Sequence, residues 1–185
     1  MTPRLPARNP ASSWVASDLV QGQPAIEFRE IQVDHPDAEK LLREYFAERI
    51  ATFPDPAGYT TTLPESARFV PPEGVFLVAV GDGEDDGADD EIIGGGGIRR
   101  LSSERYEVKH LFVRPAGRGR GLGKALLGEL ERRARAFGAI EVVLDTNDSL
   151  TAAGGLYRSA GYRTIEPYND NPNATTWYWK SLTTR

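Results

Sequence analysis

The chain has 185 residues, enough for one domain with its own core, and its 39% apolar residues include no run near the ~20 needed to cross a bilayer. It has no cysteine and only two histidines, His35 and His110, which removes disulfides, thiolate ligands and a cysteine nucleophile and makes a histidine-rich metal site a poor fit. The net charge of −5 argues against a broad nucleic-acid surface, and no apolar signal stretch opens the chain, so a cytoplasmic protein without metal, nucleic-acid or membrane partners is expected.

Residues 1–23 hold Pro3, Pro6 and Pro10 and keep no period; they read as a flexible tail before one folded domain over residues 24–185. Residues 24–33 read as a strand with Ile26, Phe28, Ile31 and Val33 apolar, and the change of parity after Phe28 suggests a bulge. Asp34 has the chemistry of an N-cap and Pro36 suits a first helical turn. Ala38, Leu41, Leu42, Tyr45, Phe46 and Ile50 then mark one face of a helix ending before Pro54. His35, in its first turn, reads as solvated. Residues 52–74 carry five prolines, with a short helix at most near residues 65–69. So long an irregular segment suits the wall of a substrate cleft.

Residues 74–80 are an unbroken apolar run, hence a strand buried on both faces. The acidic residues 81–91 lack the spacing of a calcium loop and read as a mobile, solvated hairpin connection. Residues 92–101 resume as a strand interrupted by Gly94, Gly95, Gly96 and Gly97, where a bulge or the close approach of a ligand is expected. Residues 106–113 complete an antiparallel meander. A helix over residues 121–137 follows, with Leu122, Leu126, Leu130 and Phe137 on one face and Gly138 past its end. Residues 139–145 form a buried strand, parallel to residues 106–113 because a helix intervenes. Asn147 or Ser149 should cap a short helix through Ala160. Strands at residues 162–165 and 175–182 close the chain, the last containing Trp177, Tyr178 and Trp179. This order gives an α/β (α+β) mixed sheet with helices on both faces.

The stretch from Val113 to Gly123, Val-Arg-Pro-Ala-Gly-Arg-Gly-Arg-Gly-Leu-Gly, joins a strand to a helix. Glycines let backbone N–H groups turn inward together, and a helix start adds free N–H groups and a positive dipole end. Arg118 and Arg120 add charge, so the stretch describes a site for a phosphorylated ligand. The dinucleotide fingerprint fails, because its third glycine falls on Lys124 or Leu122. The Walker loop also fails, because Gly123-Lys124 is followed by Ala125. Arg-x-x-Gly-x-Gly fits, as Arg118 to Gly123.

With Leu156-Tyr157-Arg158-Ser159-Ala160-Gly161-Tyr162 downstream and the element order above, the chain resembles the GNAT superfamily of N-acetyltransferases over residues 25–182. The resemblance implies a mostly antiparallel sheet of about seven strands with one parallel, splayed pair. It implies acetyl-CoA as the acetyl donor and direct attack by a primary amine in a ternary complex, with no metal. A small-molecule amine is the expected acceptor. A protein or peptide amine is the alternative, and a non-catalytic CoA sensor is a rival of another class. A monomer and a homodimer are both open.

The resemblance also assigns residues. Arg118, Gly119, Arg120, Gly121, Leu122, Gly123 and Lys124 would hold the diphosphate. The backbone of Leu111, Phe112 and Val113 would pair with the pantetheine arm, as an extended amide chain does with a strand edge. Asn147 lies three residues before Leu150, the position where the family often has asparagine; it is a cofactor contact or, on its own chemistry, a helix cap. Glu107 is the candidate base, sharing a face with Lys109, Leu111 and Val113 by strand alternation. An ion pair with Lys109, Arg99 or Arg100 is its other reading. His110 would point the other way, into the core. The Val113 N–H would serve the developing oxyanion and Tyr157 would be the acid at the sulfur. Asp170, in the loop at residues 167–173, is a candidate to attract the cationic amine.

Overall fold

The computed structural model describes residues 26–81 and 91–183, so the flexible tail and the mobile hairpin connection expected from the sequence lie, wholly and for the most part, outside the described residues. The elements are β1 (Glu27–Ile31), α1 (Pro36–Thr52), β2 (Gly74–Gly81), β3 (Glu91–Arg100), β4 (Arg105–Val113), α2 (Leu122–Ala136), β5 (Glu141–Thr146), α3 (Thr151–Ser159), β6 (Arg163–Ile165) and β7 (Thr176–Ser181). Short 3-10 turns at Pro56–Gly58, Ser66–Phe69 and Pro115–Gly117 punctuate the connections. The strands form one sheet in the order β1-β2-β3-β4-β5-β7-β6. β4 and β5 are its parallel pair, and the other described pairs are antiparallel. No described helix is long and apolar enough to cross a membrane.

Helices cover both faces. Ala38, Leu41, Leu42 and Phe46 of α1 pack on Phe76, Val78, Val80 and Phe112. On the other face Leu126, Leu127, Leu130 and Ala134 of α2, with Tyr157 of α3, pack on Val75, Leu77, Ile98, Val108, Val142 and Leu144. Each buried leucine contributes about 1.5–3 kcal/mol of transfer free energy. β2 lies between these two layers and is buried along its whole length.

Covering on both sides also explains β1. Its register with β2 runs unbroken from Glu27↔Val80 to Ile31↔Phe76, so the expected bulge is absent. The parity change arises because Phe28 packs on the α2 side and Ile31 on the α1 side. The cap of α1 also differs from expectation. His35 is the N-cap residue, and its Nδ1 accepts the Asp37 N–H at 3.2 Å. Asp34 instead accepts from the Ser66 hydroxyl.

The glycines of β3 answer to packing and to a bulge. A Cβ on Gly95 would lie 2.5 Å from Leu41, and one on Gly97 would lie 2.6 Å from the Phe69 ring. The bulge is in β4: Gly97 pairs with Lys109 and Gly95 with Phe112, so Gly96 faces both His110 and Leu111. His110 absorbs the extra residue at φ 56°, a rare conformation for a non-glycine residue.

The bulge reverses the alternation. Val108 and Leu111 both pack on the α2 side, while Phe112 packs on the α1 side. Glu107 and Lys109 therefore do not share a face with Leu111 and Val113, contrary to the sequence expectation. His110 is buried among Tyr45, Phe46 and Phe69, on the α1 side.

Candidate functional site

β4 and β5 pair over Arg105↔Glu141, Tyr106↔Val142 and Glu107↔Val143 and then part. Residues 108–113 of β4 continue with no described strand on that side. The Arg114 N–H donates to the Ile93 carbonyl at 3.0 Å, which makes Gly94↔Val113 a non-hydrogen-bonded pair. The Val113 N–H therefore points away from β3, into the gap. The Val113 carbonyl accepts from Arg118 Nε at 2.9 Å. The same alternation turns the peptide groups of Phe112 toward Gly95. Phe112 thus gives a buried ring to the core and has no free backbone for a ligand, which corrects its assignment.

The glycine stretch begins where β4 ends. Gly119 and Gly121 adopt φ 75° and 77°, which fold residues 118–123 into a cup of N–H groups before α2. The N–H groups of residues 119–123 find no acceptor among the described residues. Gly117 and Gly123 have ordinary backbone angles and are small for packing: a Cβ on Gly123 would touch Leu156 of α3 at 3.4 Å. The cup is therefore beside α3 as well as β4.

Two of its arginines are not free. Arg114 makes a two-pronged pair with Glu44 at 2.6 and 2.8 Å. Arg118 donates from one nitrogen, Nη2, to both oxygens of Glu48 at 2.6 and 2.8 Å and lies over the Phe112 ring. Glu44 and Glu48 stand one turn apart on α1 and tie the cup to that helix. The side chain of Arg118 is thus a strut, and Arg120 and Lys124 are the exposed cations left at the cup. The Glu-x-x-x-Glu spacing of Glu44 and Glu48 is the sequence signal for this clamp, which the sequence expectations above do not include.

A cavity of about 410 Å³ opens along the unpaired side of β4. Its wall includes Tyr45 and Arg49 of α1, Thr52 to Pro64 in part, Lys109, His110 and Leu111 of β4, Asp145, Tyr157 and the loop from Asn169 to Asn173. The irregular segment after α1 thus supplies a wall, as expected, while the glycines of β3 do not line it. Asn173 clasps the two loops together: its amide accepts the Thr60 N–H at 2.9 Å and donates to the Thr60 carbonyl at 2.6 Å.

Tyr157 lines this cavity with its ring packed near Tyr162 and Tyr178. Its hydroxyl makes no hydrogen bond among the described residues. Burial raises its pKa well above the ordinary tyrosine value, against the opposing charge of Arg49, so the hydroxyl stays protonated. His110 also lines the cavity, and its Nδ1 is buried without a hydrogen-bond partner among the described residues. Burial, then the positive charges of Lys109 and Arg99, lowers its pKa to about 3, so the ring is neutral at physiological pH.

Glu107 is placed differently from expectation. It is fully buried and absent from the cavity wall. Arg99 Nε donates to one carboxylate oxygen at 2.6 Å; the Tyr168 hydroxyl at 2.8 Å and the Asn169 amide at 3.3 Å donate to the other. A fully buried carboxylate held by three donors and set back from the cavity does not reach a substrate there, so the ion-pair reading describes it. Asp145 is similarly committed, to Lys109, Asn169 and Asn171. Asn147 neither caps α3 nor stands free for a cofactor. Its Oδ1 accepts the Ser149 N–H, and its Nδ2 donates to the Asn173 carbonyl. The N-cap of α3 is Leu150, without a side-chain bond.

Residues 36–162 match the acetyltransferase (GNAT) family model. The chain is 42% identical over 74 residues to an uncharacterized N-acetyltransferase of Schizosaccharomyces pombe, a match covering 40% of this chain and 45% of that protein. It thus spans less than half the length of this curated relative. Among solved structures, an acetyltransferase from Streptococcus agalactiae superposes with a TM-score of 0.66 at 20% identity, covering 85% of this chain and 98% of the other. A GNAT family acetyltransferase from Elizabethkingia anophelis, solved with acetyl-CoA bound, has a TM-score of 0.55 at 18% identity over 85% and 98% of the two chains. A splayed parallel pair, a cup of free N–H groups at its end and a family match over most of the folded residues agree: the chain belongs to the acetyltransferase (GNAT) family.

Proposed function

We propose that this protein transfers the acetyl group of acetyl-CoA to a primary amine of a small molecule, by direct attack in a ternary complex. One observation carries the reading. The unpaired length of β4 runs from a cavity holding the Tyr157 hydroxyl to a cup of free N–H groups at residues 119–123. A long ligand with an extended amide-bearing arm and a diphosphate suits that path. The solved relative with acetyl-CoA bound supports the same donor.

Acetyl-CoA supplies the acetyl group as an activated thioester. Residues 119–123 donate their N–H groups to the diphosphate, with Arg120 and Lys124 at its edge. Leu111 and Val113 present backbone in the gap, and the Val113 N–H faces the carbonyl oxygen as it gains charge. The amine nitrogen bonds to the carbonyl carbon, the carbon–sulfur bond breaks, and the amine proton leaves to water. Tyr157 gives its proton to the departing sulfur and is reprotonated from solvent. Glu107 takes no base role, because it is enclosed and set back from the cavity wall.

The clasped cavity of about 410 Å³ favours a small acceptor over a polypeptide. The test is a panel of amines incubated with acetyl-CoA while free thiol is followed. Thiol release above the amine-free rate, with acetylated product, is expected for at least one small amine. Tight acetyl-CoA binding with no release for any amine refutes the enzyme reading in favour of a sensor.

A further inference from the structure

The cavity presents cations whose N–H donors its own carboxylates do not use up. Lys109 is matched by Asp145 at 3.3 Å and by Glu107 at 3.6 Å. Arg99 is different. Its Nε is pinned to buried Glu107 at 2.6 Å, while Nη1 and Nη2 make no hydrogen bond among the described residues. Its side chain is one-third exposed, and it lines the cavity. Arg49 lines the same cavity and has one contact to Glu48 at 3.2 Å, but Glu48 is already paired through both oxygens with Arg118. Arg49 Nε is buried with no hydrogen-bond partner among the described residues. Two guanidinium groups thus share a cavity with donors left over.

Guanidinium donors without protein acceptors must be satisfied by water or by a ligand, and a ligand that takes two of them at once gains charge-assisted bonds. The natural complement is a planar carboxylate, which takes two parallel N–H bonds from one arginine. The opposite sign is on the wall too: Asp170 is exposed there and makes no ion pair among the described residues. A cavity with a free arginine fork and a free carboxylate fits a molecule carrying both an amine and an acid.

We infer that the acceptor is a small amino carboxylate, its acid group docked on the free Nη groups of Arg99 beside Arg49, with Glu107 as the residue that positions Arg99. This rests on the cavity being the acceptor site of the proposed acetyl transfer. It gives Glu107 a task that its burial permits, and it makes Arg99 a specificity-determining residue.

The test compares free amino acids, including β-alanine, with their primary amides, which keep the amine and lose the charge. Binding to the protein saturated with CoA is measured by calorimetry, and thiol release from acetyl-CoA is measured in parallel. At least one acid is expected to bind ten-fold or more tightly than its amide. Arg99→Gln should abolish that preference and Arg99→Lys should retain part of it. Because Arg99→Gln leaves Glu107 buried without its partner, the paired variant Arg99→Gln/Glu107→Gln is run beside it, with folding checked by circular dichroism. The inference is overturned if no acid binds more tightly than its amide, or if the preference survives in a folded Arg99→Gln protein. Amides acetylated as well as acids would overturn it while leaving acetyl transfer standing. Carboxylate-selective binding with no thiol release for any amine would uphold the carboxylate site and refute the transfer.

Discussion

Glu107 and Tyr157 show how far environment decides the role of a side chain. Glu107 is enclosed and bonded through both oxygens. Removing one partner of such a buried pair costs about 3–5 kcal/mol. Glu107→Gln is therefore expected to lower the melting temperature clearly, toward the low end of that range because the amide keeps some bonds. It should leave the pH dependence of kcat/KM unchanged. With neither Glu107 nor the neutral His110 acting as base, kcat/KM should rise about ten-fold per pH unit below the amine pKa, near ~10 for an alkyl amine. A plateau near pH 7 set by a titrating enzyme group would contradict this. Tyr157 keeps an unbonded hydroxyl at the cavity, so Tyr157→Phe should lower kcat about ten-fold or more while its ring preserves stability. An unchanged kcat at saturating acetyl-CoA would end the acid role.

At the level of elements, the link between α1 and the N–H cup matters most. Arg114–Glu44 and Arg118–Glu48 hold the loop at two points one helical turn apart. These pairs are partly exposed, so each adds on the order of 0–1 kcal/mol to stability. Their larger effect is on the order of the loop. Glu44→Ala/Glu48→Ala is expected to raise the KM for acetyl-CoA by about ten-fold with a small loss of melting temperature and little change in kcat. An unaltered KM would show that the cup holds its shape alone. The strands and helices themselves were legible in the sequence, because apolar period and glycine or proline punctuation are local signals. The bulge at His110 was not. A single extra residue has no signature in apolar pattern or composition, yet it puts Leu111 on the layer of Val108 and Phe112 on the other, the reverse of plain alternation. The choice of His35 over Asp34 as cap was equally hidden, since it depends on where Ser66 lies in space.

For the molecule as a whole, the two helical layers bury ionisable groups whose cost appears in stability. His110 is held neutral, with its pKa lowered to about 3 by burial and by Lys109 and Arg99. In the unfolded chain it binds a proton near pH 6.5. The unfolded state then holds more protons, so the contribution of this site is complete above pH 6.5 and is lost progressively as pH falls toward 3. His110→Asn, which tolerates positive φ, should flatten the fall in melting temperature between pH 6.5 and pH 4. An equal slope in both proteins would show that carboxylates alone set the acid limit. The family motifs were legible along most of the chain because the cup and the Leu-Tyr segment are contiguous. The cavity beside β4 was only partly legible, since Arg49, Arg99 and Asn173 come together from distant elements.

The Thr60–Asn173 clasp joins residues 113 positions apart. Closing so long a loop carries an entropic penalty that the sheet and its layers must already have offset before two hydrogen bonds on the surface can form. The cavity proposed for the acceptor is therefore expected to be finished last and to come undone first. In native-state hydrogen exchange the Thr60 amide should exchange through openings far smaller than global unfolding, while amides of β2 and β3 exchange only with it. Mild denaturant would then abolish turnover of the amine before it releases acetyl-CoA, so that the catalyst fails at its acceptor side while the donor side is still assembled.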